Sequence, residues 1–522
     1  MNQLINENTV HTVLLTLVTY LPLLGALTIF LMRGSSEEVA RTARWIALWT
    51  SVVVFGLSIV MWSLFDPTLP GYQFAYQSEW LAGFGVSYHV GVDGISLFFI
   101  ILSTLLTLVA ILSAWQMITD RIRDYMVAVL LLETTLVGLF SSLDMVVFYC
   151  FYEATLIPSS MLIGIWGGPK RIFASLQFFL YTFTGSLFMM IGILWMWVHT
   201  GTTDIPVLMH QSFSGTVQGW LLLGFVLAFG VKLPLFPLHA WLPSAYTEGP
   251  APTTLLVSGV MSKAGAYGLL RFGVLMLPEA SHRYGMLIMI LGVCAVIYGA
   301  IIALSQTDIK RMIAYSSFSH MGLIAIGLFS LTPEGINGAL MQVISHGVTI
   351  AALFLCIAAV TYRVGSRSIT EFGGVASKMP KLALLAMIFI MANVGLPGTG
   401  AFVGELLVMV GALQVSFWIA LLGGSTMILG AIYTLVLYRK VIFGGVVKPA
   451  VDHMRDLSVR ELTILVPLAL ITLWMGIYPN SFLSVFDPAV MSFTSSGRVA
   501  ELTSHASTVA VNNIDVHQIA VR

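Results

Sequence analysis

The sequence predicts an all-α polytopic membrane protein with about 14 transmembrane helices. Three observations carry that reading. Hydrophobic residues make up 58% of the chain and charged residues only 9%, where a soluble domain carries about 25% charged residues. Apolar runs of about 20 residues, the length that spans a bilayer, recur from one end of the chain to the other. The Lys and Arg residues keep phase with those runs.

By length, the spans fall near 12–32, 45–65, 93–115, 125–142, 144–165, 174–199, 219–241, 253–276, 284–304, 311–331, 335–361, 382–413, 417–438 and 461–483. The third opens after a polar stretch, Gln73 to Asp93, that reads as lying at the membrane interface. Residues from Ser492 onward show no periodicity and read as a poorly ordered tail. Loops after odd-numbered spans hold 18 Lys and Arg, and the other side holds 3. The remaining three, Lys232, Lys263 and Arg271, lie within spans. Basic loops stay cytoplasmic, so both termini are expected on the opposite face. The first apolar run is long enough to span and has no basic segment before it, so no cleaved signal peptide is expected.

Two spans are interrupted. Phe229 to Trp241 holds Lys232, Pro234 and Pro237 at the end of an apolar run. Proline lacks the N–H that would bond the carbonyl four residues back. Pro234 therefore frees the Gly230 carbonyl, and Pro237 frees that of Leu233. Such backbone is tolerated at membrane depth only where it is buried in protein or faces water. The twelfth span is broken around Gly395, Pro397, Gly398 and Gly400. Val231-Lys232-Leu233-Pro234 recurs there as Val394-Gly395-Leu396-Pro397, five spans later. Interrupted helices in corresponding positions point to inverted repeats with a site near the midplane.

Seven titratable residues sit within spans: Glu133, Glu153, Lys232, Lys263, His320, His346 and Glu405. An acid or lysine at bilayer centre costs a few kcal/mol, and such groups mark ion and proton pathways. Glu153 and Lys232 read as an ion pair that forms in one state and breaks in another. Lys263 lies among small residues, Ser258-Gly259-Val260-Met261-Ser262. His320 and His346 each follow a serine, which suits a hydrogen-bonded wire. Glu405 lies eight residues past Pro397, about 12 Å along an ideal helix. Fixed interhelical hydrogen bonds are the competing reading for Glu133, His320 and His346. His239, near a helix end, reads as a snorkelling or capping group.

Other chemistries are excluded or unsupported. A net charge of zero argues against a nucleic-acid partner. Cys150, Cys294 and Cys356 lie in apolar segments without metal-ligand spacing and read as small core residues. There is no P-loop, dinucleotide fingerprint or nucleophile elbow. The chain is expected to move an ion, driven by a gradient or a partner.

Several motifs are specific. They are Leu143-Asp144-Met145-Val146-Val147-Phe148-Tyr149 leading to Glu153 and Pro158, and Lys232-Leu233-Pro234-Leu235-Phe236-Pro237-Leu238-His239-Ala240-Trp241-Leu242-Pro243. Glu248-Gly249-Pro250-Ala251-Pro252 and Lys263-Ala264-Gly265-Ala266-Tyr267-Gly268 follow. Asp308-Ile309-Lys310-Arg311, Ala314-Tyr315-Ser316-Ser317 and His320-Met321-Gly322 complete them. On these residues the chain resembles the antiporter-like membrane subunits of the proton-pumping NADH–quinone oxidoreductase, respiratory complex I. Glutamate at 405, where sister subunits usually carry lysine, favours the branch called subunit M or chain 4.

The resemblance implies fourteen helices arranged as residues 1–115 (spans one to three), 125–276 (a first repeat), 284–438 (a second, inverted repeat) and 461–522 (the last span and tail). It implies a proton relay in which Glu153 and Lys232 form the pump's ion pair, Lys263 is central, His320 and His346 pass protons on, and Glu405 serves the outlet. It places no redox cofactor in this chain. NADH, FMN, iron–sulfur clusters and quinone are expected in partner subunits, and the neighbours are other antiporter-like subunits in a bacterial inner membrane. A multi-subunit cation/proton antiporter or a membrane-bound hydrogenase is the alternative setting.

Overall fold

The computed structural model describes residues 2–69, 71–444 and 448–492. The tail expected from Ser492 onward lies almost wholly outside the described residues. Helix α1 (Asn2–Leu31) is followed by α2 (Ser36–Leu64), which opens nine residues before the apolar run predicts. Ser35 caps it by accepting the Glu38 N–H at 3.4 Å, and Glu37 and Glu38 occupy its first turn. Acidic residues suit the positive end of the helix dipole.

Gln73 to Asp93 is more ordered than an interfacial loop. It forms an antiparallel hairpin of β1 (Gln73–Leu81) and β2 (Val86–Val92), with Tyr76 opposite Val90 and Glu79 opposite Ser87. Aromatic and β-branched residues alternate at Phe74, Tyr76, Val86, Tyr88, Val90 and Val92, and a period of two is the strand signal. The hairpin is tied to neighbouring loops. His89 Nδ1 lies 2.6 Å from Asp204, and the Leu143 N–H donates to the His89 carbonyl at 2.8 Å. Asp93 then caps α3 (Gly94–Met117) in a capping box with Ser96.

Helix α4 (Ile122–Ser141) leads to the fifth span, which is two helices, α5 (Met145–Ala154) and α6 (Leu156–Trp166), divided at Thr155 three residues before Pro158. Next come α7 (Arg171–Thr200), a short α8 (Ile205–Met209) and α9 (Gly215–Lys232). As the prolines dictate, α9 ends at Lys232 and the chain turns into α10 (Trp241–Glu248). The freed Gly230 carbonyl accepts from the Leu235 N–H at 2.7 Å, and the Trp241 indole donates to the Val231 carbonyl at 2.8 Å. The eighth span alternates α11 (Ala251–Leu256), a π turn (Val257–Met261), α12 (Lys263–Gly268) and a second π turn (Leu269–Leu275).

The second half runs through α13 (Pro278–Ser305), α14 (Ile309–Phe329), α15 (Pro333–Val364), α16 (Val375–Lys378), α17 (Pro380–Val394), α18 (Gly400–Val415), α19 (Phe417–Tyr438), α20 (Pro449–Asp452) and α21 (Val459–Ile477). The last predicted span stops at Ile477, and residues 480–492 form a separate helix, α22, after Pro479. Twelve helices among the described residues are long and apolar enough to cross a membrane. With the interrupted segments 251–275 and 380–415, all fourteen expected spans have a counterpart.

Helices α14 and α15 form the centre, and the most apolar window of α15 is wholly buried. Lipid supplies no hydrophobic drive between helices, so close approach of small residues holds them. A Cβ at Gly404 of α18 would stand 2.7 Å from the Gln342 backbone nitrogen, and one at Gly338 of α15 would stand 2.5 Å from that of Val408. This contact brings Glu405 against α15.

At the end opposite the hairpin, the turn after α10 is clamped from both halves. Lys310, grouped with the loop lysines by sequence, is buried in the first turn of α14 and donates to the Gly249 carbonyl at 2.6 Å. Arg367 donates to the Thr247 carbonyl at 2.7 Å, and Glu248 accepts from the Lys170 N–H at 2.9 Å. The Thr247 and Gly249 carbonyls, both accepting from Lys310 Nζ, explain why that ammonium leaves the water there.

Overpacking costs about 1–3 kcal/mol, so Gly404→Ala lowers the thermal midpoint of the detergent-solubilised protein. Gly56→Ala, where nothing lies within 4 Å of an added Cβ, leaves it unchanged or slightly higher because alanine favours the helix.

Candidate functional site

The interruptions of the spans place the titratable groups. Lys232 ends α9 and is 1% exposed. Its Nζ donates to Thr155 Oγ1 at 2.8 Å and to the Tyr152 carbonyl at 3.5 Å, and it stands 3.7 Å from the centre of the Tyr152 ring. Thr155 and Tyr152 lie at the break between α5 and α6. The ion pair expected with Glu153 is not formed here. The lysine takes instead the hydroxyl and carbonyl that the α5–α6 break exposes, together with an aromatic face. Glu153 is partly buried on the same helix, facing Ser186, with one carboxylate oxygen lacking a protein partner.

A second group of polar residues extends across the two halves. The π turn at 257–261 turns the Ser258 carbonyl inward, and Lys263 Nζ donates to it at 2.7 Å. The same Nζ lies 3.4 Å from Ser262 Oγ and 2.8 Å from His346 Nδ1 on α15. Lys263 and His346 are thus hydrogen-bond partners, and the direction of the bond depends on which of them carries the proton. The His346 and His320 ring centres are 5.3 Å apart. His320 Nδ1 lies 3.3 Å from Glu405 Oε1. Gln342 donates to Glu405 Oε1 at 3.3 Å and stands 3.5 Å from His320 Nδ1. Lys263, His346, His320 and Glu405 are each no more than 2% exposed.

Glu133 lies apart. It is fully buried in α4, and Ser51 of α2 donates to it at 3.2 Å. No described bond joins it to the row from Lys263 to Glu405. His239 neither snorkels nor caps. It stacks on Phe318 with ring centres 4.2 Å apart and is flanked by Phe236 and Tyr298, an apolar slot that holds the imidazole inside the bundle. Its Nδ1 has no protein partner.

Sequence reasoning missed three members of this polar interior. Gln342 sits one helical turn before His346, and that i, i+4 spacing was the available signal. Asn393 donates to Ser316 at 3.0 Å, and Ser316 bonds the Tyr433 hydroxyl at 2.9 Å, beside Glu405. Arg271 pairs with Asp93, 178 positions away, which local pattern does not reveal. Lys232 and Lys263 share no bond among the described residues. Between them Gly265 packs directly on the Leu233 backbone.

Replacing Gln342 by leucine leaves Glu405 Oε1 without its amide donor. His320 Nδ1 remains beside that oxygen, and one lost hydrogen bond costs about 0.5–1.5 kcal/mol, so Gln342→Leu lowers the thermal midpoint modestly, and Gln342→Glu lowers it further by adding a second acid.

A family model described as NADH:quinone oxidoreductase/Mrp antiporter, TM matches residues 142–430. The chain is 41% identical over 513 residues to NADH-quinone oxidoreductase subunit M of Rhodobacter capsulatus, covering 96% of this chain and 99% of that one. Among solved structures, a chain of respiratory complex I from Thermus thermophilus with bound NADH superposes with a TM-score of 0.84 at 32% identity, covering 92% of this chain and 99% of that one. A chain of the Mrp complex from Dietzia sp. DQ12-45-1b shares the fold, with a TM-score of 0.81 at 20% identity over 93% and 98% of the two chains. This chain belongs to the NADH:quinone oxidoreductase/Mrp antiporter family of membrane subunits.

Proposed function

We propose that this chain is the proton-translocating M-type (chain 4) membrane subunit of an NADH–quinone oxidoreductase. Electron transfer from NADH to quinone takes place in partner subunits, which hold the FMN and iron–sulfur clusters, and this chain carries no redox cofactor. Its neighbours are other antiporter-like subunits. It lies in a bacterial inner membrane, with the basic loops cytoplasmic and both termini periplasmic. Spans four to eight and nine to thirteen are two inverted repeats, flanked by spans one to three and by the last span. Identity of 41% to a subunit M against 20% to the Mrp chain favours this setting over a cation antiporter.

The observation that carries the proposal is the buried row Lys263, His346, His320, Glu405. Every member both takes up and releases a proton, and neighbours lie within one hydrogen bond or one bridging molecule of each other. Lys232 is the switch that feeds it. Its bonds to Thr155 and Tyr152, with no direct bond to Glu153 one residue away from Tyr152, support that reading. Pairing with Glu153 favours the protonated amine, and breaking the pair in a dry site favours proton release. A charge change in a partner subunit shifts that choice, and the proton passes through Lys263 towards Glu405. Glu133, buried against Ser51 of α2, is a further proton-relay candidate outside that row.

In the reconstituted complex, Lys232→Ala and Glu153→Ala lower the protons pumped per electron pair. Normal stoichiometry in both, with assembly intact, rules out the switch. Thr155→Val removes the hydroxyl that holds the lysine, so it also lowers pumping by the intact complex while sparing its NADH oxidation by a soluble electron acceptor.

A further inference from the structure

A proton relay that touches both faces at once would dissipate the gradient it builds. Some element must therefore close the first half towards the hairpin. The eighth span (251–275) carries Lys263, then Tyr267, then Arg271, and the last of these reaches the hairpin end. Around Tyr267 the structure stacks aromatic rings from separate elements. Tyr267 meets Phe140 of α4 at 5.3 Å between ring centres and Phe99 of α3 at 5.4 Å. Phe272 meets Phe148 of α5 at 4.7 Å and Phe229 of α9 at 5.6 Å. All six are no more than 2% exposed. The layer has no slack, since a Cβ on Gly268 would strike the Phe229 ring.

Behind the layer, on the hairpin side, stands a fixed cation. Arg271 is 2% exposed and pairs with Asp93, itself held by the capping box at the start of α3. Its Nε donates to the Tyr267 hydroxyl at 3.3 Å, and that hydroxyl donates to the Phe140 carbonyl at 3.2 Å. The guanidinium also lies 5.6 Å from the Tyr72 ring centre. Arginine does not give up its proton in a protein, so it cannot be a relay member. Apolar constrictions exclude water, and a fixed arginine repels protons and cations.

We propose that this aromatic layer and the Arg271–Asp93 pair are the seal that stops protons leaving the Lys232–Lys263 region on the hairpin side. The first half then exchanges protons only with the Glu248 end or with the second half. This rests on the proton-translocation reading above, and the test separates the two. The intact complex is reconstituted into vesicles, and passive proton entry is measured under an imposed potassium diffusion potential without NADH. Arg271→Gln and Phe148→Ala raise that leak several-fold, and Arg271→Lys, which keeps the cation, restores tightness towards the unaltered complex. Lys232→Ala impairs driven pumping and leaves the passive leak unchanged. Phe148→Ala keeps the ion pair and decides the matter if Arg271→Gln fails to assemble. Vesicles as tight as those with the unaltered complex overturn the seal, whatever Lys232→Ala does to pumping.

Discussion

The structure depends on one constraint. A charged side chain in a dry membrane interior needs dipoles that an unbroken helix does not offer, because an unbroken helix spends its carbonyls on itself. Each central charge here sits at an interruption. Lys232 ends α9 and reaches the α5–α6 break at Thr155. Lys263 uses the Ser258 carbonyl that a π turn releases. Glu405 lies against the break between α17 and α18, where an added Cβ on Gly395 would come 2.5 Å from its carboxylate. Proline, glycine and π turns thus fix where the two lysines and Glu405 sit, while His320 and His346 lie on the unbroken helices α14 and α15 between Lys263 and Glu405.

Small residues then bring the interruptions together. Gly265 lets α12 lie on the Leu233 backbone, and Gly404 lets α18 lie on Gln342. These contacts set two different distances. Lys263 bonds His346, and His320 and Gln342 meet Glu405, with the two imidazole rings 5.3 Å apart between these groups, whereas Lys232 and Lys263 are separated by packed backbone. The second half adds hydroxyl and amide groups beside Glu405, through Asn393, Ser316 and Tyr433. The first half places an aromatic ring against Lys232 and serine groups against Lys263.

The span count, the two interrupted helices and the identity of the buried titratable groups were legible in the sequence, because they rest on local rules. Length and polarity define a span, proline forbids a hydrogen bond, and charge in an apolar run is costly. The hairpin was legible too, in the alternation from Phe74 to Val92, but the hydropathy of the spans drew attention away from it. What local pattern does not contain is partner choice. Lys232 selecting Thr155 over Glu153, Lys263 selecting His346 and Arg271 selecting Asp93 all depend on helix packing over 77, 83 and 178 positions of sequence.

In the proposed relay, partner choice sets where control can act. Lys263 and His346 are already hydrogen-bonded, whereas Lys232 rests on a hydroxyl, a carbonyl and an aromatic face. On that proposal its proton advances when the side chain leaves Thr155 and the Tyr152 face, and Glu153, next to Tyr152 in the chain, is the group placed to compete for it. The row also opens between His346 and His320, whose Nε2 atoms have no protein partner. A distant partner can therefore govern the proposed relay at two steps, the departure of Lys232 and the closing of that gap.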